Sequence, residues 1–87
     1  MKVVGLKEIT KKDSPLHYRG EYSGKAVVEV DTNLDVECRL SFVLERSATG
    51  SIGVTINLLE EIPYPVVPVL GALKSYILEQ EKTGRFL

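Results

Sequence analysis

Leu16-His17-Tyr18-Arg19-Gly20-Glu21-Tyr22-Ser23-Gly24-Lys25-Ala26-Val27-Val28-Glu29-Val30 decides the fold. Its even positions are apolar, aromatic or glycine, and its odd positions are polar apart from Val27. Side chains alternate faces along a strand, so residues 16–31 read as one long, half-buried β-strand. Gly20 and Gly24 fall on the apolar parity, where a missing side chain lets a strand bend or another backbone approach.

The alternation restarts twice downstream. Leu34, Val36, Cys38, Leu40, Phe42 and Leu44 mark a strand over about 34–46, and Ile52, Val54, Ile56 and Leu58 another over about 50–59. Opposed residues share a face, so a two-residue turn pairing Asp31 with Leu34 would mix faces. A three-residue loop, Asp31-Thr32-Asn33, pairs Val30 with Leu34 and Tyr22 with Phe42, with Asn33 suited to the left-handed position. That register opposes Arg19 to Glu45. It also sets Glu29 against Asp35 and Lys25 against Arg39, two like-charge pairs that count against it and leave a five-residue loop as the alternative. A Ser47-Ala48-Thr49 loop would pair Leu44 with Ile52 and Leu40 with Ile56. An N-terminal strand over about 2–9 is weaker, because Val3, Val4, Leu6 and Ile9 fit neither parity. Lys11-Lys12-Asp13-Ser14-Pro15 supplies the turn after it.

Beyond residue 60 the period changes. Val66, Val69, Leu70, Leu73, Tyr76 and Ile77 recur at spacings of three and four, one face of a helix over about 65–83. Pro63, Pro65 and Pro68 crowd its start, where missing amide donors are tolerated. Gly84 is its stop, and Phe86 can fold back. The expected fold is one α+β domain over 1–87: a four-stranded antiparallel, strongly curved β-meander with one C-terminal helix on its apolar face. Such a helix is roughly 28 Å long and 10 Å wide, while the sheet reaches roughly 40 Å by 19 Å. Apolar face is left over.

Composition narrows the function classes. The 87 residues carry a net charge of −1, are 44% hydrophobic, and include one Cys and one His. The chain is too apolar for a disordered tail, and it cannot build a disulfide framework or a zinc finger. The first residues lack the apolar core of a signal peptide, and the run from Ile62 to Leu73 is too short and proline-rich to span a membrane. A cytoplasmic protein is expected. Near-neutrality conceals segments: residues 1–25 carry +3, residues 26–61 carry −5, and residues 62–87 carry +1.

Motifs of catalysis and ligation are incomplete. Asp31-Thr32-Asn33-Leu34-Asp35 opens like an EF-hand loop, but Val36 stands where glycine is needed and Phe42 where a bidentate Glu is needed. Gly20 to Ala26 is too short for a phosphate loop and lies inside a strand. Gly50-Ser51-Ile52-Gly53 has a GxxG spacing, but it enters a strand, so it reads as a turn. Cys38 has inward parity and reads as an inert thiol. His17 lies on the polar row beside Arg19 and Glu21, with no nucleophile or pocket near it. No enzyme, cofactor or metal is expected.

Three readings of function are left. The leading one is a non-enzymatic interaction domain that forms a homodimer or small oligomer through apolar sheet or helix surface, with Val67, Gly71 and Leu78 as a secondary helix stripe. A second is single-stranded nucleic-acid binding by the sheet and the basic segment around Lys7, Lys11 and Lys12. A third is a carrier of a small apolar ligand between helix and sheet, lined by Tyr18, Tyr22, Phe42 and Tyr76. The order of four antiparallel strands then a helix resembles, in topology, the PC4/Whirly/Pur group of single-stranded nucleic-acid binders, which dimerise. The resemblance implies dimerisation and nucleic-acid binding. The chain departs from that group in lacking a basic, aromatic-bearing sheet face.

Overall fold

Parity, register and helical period combine into one sheet and one helix. The computed structural model describes residues 1–13 and 15–86. Its elements are β1 (Lys2–Lys12), β2 (Arg19–Asp31), β3 (Leu34–Arg46), β4 (Ile52–Leu58) and α1 (Val66–Lys82). The four strands form one antiparallel sheet in the order β1-β2-β3-β4. The helix comes close to both outer strands.

The β2–β3 hairpin keeps the expected register from Arg19↔Glu45 through Tyr22↔Phe42 to Glu29↔Asp35. Both like-charge pairs are therefore present. Lys25 is answered by Glu8 at 3.1 Å and Arg39 by Glu60 at 3.6 Å, acids recruited from outside the hairpin. The tip differs from expectation. Asp31 pairs with Leu34, and the register shifts at Val30, so Val30 does not face Leu34. A bulge at Val30 restores the parity that a two-residue turn alone would break. Asn33 takes the left-handed position at φ 62°.

The β3–β4 register is displaced by two from the expected one. Leu40 faces Leu58, Phe42 faces Ile56 and Leu44 faces Val54. A longer loop, Ser47 to Ser51, is closed by a Ser47 amide donating to the Ser51 carbonyl at 2.8 Å, with Gly50 at φ 90°. A slip of two leaves every side chain on its own face, so parity could not separate the two registers.

β1 runs three residues further than expected, to Lys12, and two register shifts explain its irregular pattern. One falls between Val3 and Gly5, the other between Lys7 and Thr10, where Glu8 has φ 55°. Each adds a residue, so Val3, Leu6 and Ile9, spaced three apart, all pack on the core. β2 conversely starts at Arg19 rather than residue 16. Leu16 and Tyr18 precede it and are exposed, out of the inward row that alternation assigned them. Ser14, in the expected turn, lies outside the described residues.

The core lies between the β2–β3 pair and the helix: Tyr22, Ala26, Val28, Cys38, Leu40, Phe42 and Leu44 beneath Val69, Leu73 and Ile77. The expected strong curvature is not found; the sheet is open, with β1 and β4 as edges. Its two inward glycines are covered instead of bent. A Cβ on Gly20 would lie 2.6 Å from the Tyr22 hydroxyl, and one on Gly24 would run into Ile9 Cδ1.

Candidate functional site

Burial falls away sharply across one strand spacing. On β3 the inward residues Cys38, Leu40, Phe42 and Leu44 are all buried, at 1% exposure or less. On β4 the inward residues Ile52, Val54, Ile56 and Leu58 are all only half-buried. The 17-residue helix is about 25 Å long, against a longest molecular dimension of 40 Å. Its buried positions lie over the centre of the sheet, and its flank leaves β4 partly open.

The connection after β4 frames that opening. The Leu59 amide donates to the Arg39 carbonyl at 2.9 Å, and the Arg39 amide donates to Glu60 Oε1 at 2.8 Å, so the ladder ends on a side chain. The chain then crosses to Pro65, and α1 begins without a side-chain cap. Ile56, Leu58, Leu59, Val66 and Leu70 line a groove of about 470 Å³, with Glu60 and Glu61 on its rim. Leu59 and Val66 are 48% and 46% exposed. The surface is apolar at its floor and acidic at one end.

The helix stripe adjoins this surface. Val67 is 80% exposed, Gly71 is exposed with nothing within 4 Å of where a Cβ would stand, and Leu78 is half-buried. The four aromatic candidates separate. Tyr22 and Phe42 stack with centroids 5.1 Å apart, and Phe86 completes the cluster at 5.3 Å from each. Tyr76 is half-buried over β1, its hydroxyl nearest to Gly5, and Tyr18 is 52% exposed outside the sheet. Phe86 rather than Tyr18 or Tyr76 therefore closes the pair, and its backbone carbonyl accepts the Tyr22 hydroxyl at 3.1 Å.

The chemical candidates stay apart from one another. Cys38 is buried, and burial with Glu60 nearby pushes its thiol pKa up, away from reactivity. His17 lies in an exposed turn before β2. Arg19, next along the polar row, is held by Glu45 at 3.2 Å and Glu21 at 3.5 Å. Among the described residues no group of three His, Cys, Asp or Glu converges as metal ligands would. On the outer sheet face charges are answered in pairs: Lys7–Glu37 at 2.7 Å, Lys25–Glu8 and Lys12–Glu21 besides those of Arg19 and Arg39. No helix among the described residues is long and apolar enough to cross a membrane.

A family model matches residues 1–82, and the chain belongs to that family, the BB_0187 family. No curated protein and no solved structure matches it.

Proposed function

We propose that the chain is a small, non-enzymatic, cytoplasmic interaction domain that self-associates through apolar sheet and helix surface. The observation that carries this reading is the half-buried inward row of β4 beside exposed Val66 and Val67. Burying apolar area contributes about 25 cal/mol per Å², and a continuous apolar strip on a small soluble domain is the usual mark of an interface. The outer sheet face is a poorer candidate, since its cations are matched by neighbouring acids and its aromatics point inward. That pairing disfavours the nucleic-acid reading, which needs uncompensated positive charge and stacking rings.

Light scattering on the full chain across a concentration series tests the proposal. A mass rising from 9.7 kDa toward twice that value is expected. A strict monomer at about 1 mM, the weak end of specific affinity, overturns it.

A further inference from the structure

The two edges of the sheet are built in opposite ways. β1 carries Lys2, Lys7, Glu8, Lys11 and Lys12, two register shifts and a residue at positive φ. Lysines and bulges are how natural sheets block edge-to-edge pairing. β4, Ile52-Gly53-Val54-Thr55-Ile56-Asn57-Leu58, has no charge, no proline and an unbroken register.

Its free backbone groups can be assigned. Leu59 bonds to Arg39 and Ser47 to Ser51, each an odd-numbered pair of the β3–β4 register. Antiparallel ladders alternate between bonded and non-bonded pairs. Gly53, Thr55 and Asn57 therefore bond inward to β3, and Ile52, Val54, Ile56 and Leu58 direct their amides and carbonyls to the free edge. Among the described residues no other backbone hydrogen bond reaches those four.

We infer that the occupant of this edge is β4 of a second copy, paired antiparallel about a two-fold axis at Thr55 to make one continuous eight-stranded sheet. This rests on the self-association proposed above and names its surface. Centring on Thr55 opposes Ile52 to Leu58 and Val54 to Ile56 of the second copy, so apolar side chains meet apolar ones on the helix side. Thr55 faces Thr55 on the other side, a favourable cross-strand pair. Glu60 comes opposite the second copy's Gly50 rather than another acid. Self-pairing of β1 would bring lysines against lysines. An isologous contact of this kind closes after two copies and leaves the lysine-protected β1 edges outermost.

Size sets the strength. Seven residues extend about 23 Å, and the molecule is about 20 Å thick, giving on the order of 900 Å² for the pair, near the low end of specific interfaces. The dimer is reversible and concentration-dependent.

Thr55 is exposed, so its substitution leaves the monomer core alone. Thr55→Lys sets two ammonium groups across the axis and is expected to weaken dimerisation tenfold or more, with an unchanged circular dichroism spectrum. Thr55→Cys is expected to cross-link to itself under diamide, which takes up the two thiol hydrogens, because a non-bonded antiparallel pair has Cα atoms about 4.5 Å apart. Wild type, whose Cys38 is buried, is expected not to cross-link. If dimer persists in Thr55→Lys and Thr55→Cys fails to cross-link, the edge assignment is wrong while self-association stands. Loss of the dimer in Val67→Lys alone would then move the contact to the helix. A wild-type monomer throughout overturns both.

Discussion

At the residue scale, two glycines have opposite consequences. A Cβ on Gly24 would meet Ile9 Cδ1, with the Lys7 carbonyl at 3.0 Å and Ile9 Cα at 3.1 Å, so backbone as well as side chain must move. Gly24→Ala is expected to cost about 1–3 kcal/mol in urea unfolding. Gly71 lies inside α1 with open space around it. Gly71→Ala should stabilise by about 0.5–1 kcal/mol and, if copies meet through β4, leave association unchanged. The Lys7–Glu37 pair spans β2 on the outer face. Its hydrogen bond holds the Glu37 carboxyl below, and the Lys7 ammonium above, their ordinary values of 4.5 and 10.5. The sign follows by linkage: the contribution is full between those values, is lost as pH falls through the lowered Glu37 value, and is lost as pH rises through the raised Lys7 value. Lys7→Met should therefore narrow the stability difference from wild type at both extremes, and salt should shrink it at neutral pH, since both groups are about half exposed. Equal differences at acid and neutral pH would show that the pair contributes nothing.

At the element scale, the C-terminal turn acts as a clasp. The Thr83 and Gly84 amides close the helix on Gln80 and Glu81, Gly84 turns at φ 76°, and the Phe86 amide donates to the buried Glu81 carboxylate. Phe86 then lies against Tyr22 and Phe42. Because Phe86 is only half-buried, Phe86→Ala should cost about 1–3 kcal/mol, less than truncation of a fully buried ring. It should also lower the Tyr22 phenol pKa, which burial and then Glu81 raise above 10.0; an ultraviolet titration unchanged from wild type would contradict the clasp. Much at this scale was legible in residue order. Alternation from Gly20 to Val28 and from Val36 to Leu44 is strict, and Tyr22 opposite Phe42 follows from parity and a short turn. β1 was legible only in part, because bulges insert residues and erase the period that reveals a strand. The β3–β4 slip was invisible for the opposite reason: a shift of two preserves every face. The like-charge pairs misled because their compensating acids, Glu8 and Glu60, lie outside the hairpin.

At the scale of the whole molecule, the distribution of burial is what residue order could not supply. The surplus of apolar face was expected, but alternation assigns Ile56 and Phe42 to the same face without saying which strand is central. Strand order makes β3 an interior strand and β4 an edge, and only then does the uncharged stretch from Ile52 to Leu58 differ in meaning from its neighbours. Hydrogen exchange reads this difference directly. In a monomer the edge amides of Ile52, Val54, Ile56 and Leu58 have no partner strand and exchange fast, while those of Gly53, Thr55 and Asn57 are protected by β3. Pairing of two copies through β4 supplies acceptors for the first set alone. Raising concentration from about 10 μM to about 1 mM, a range that brackets weak specific association, should slow exchange at the four even positions and leave the odd ones and the β1 edge unchanged. A contact through the Val67–Leu78 stripe would instead change no strand amide, because helix faces meet through side chains whose backbone bonds are already made. Uniform slowing across the sheet would signal general stabilisation rather than a new strand pair. Alternating protection on one strand is the signature that only edge pairing produces.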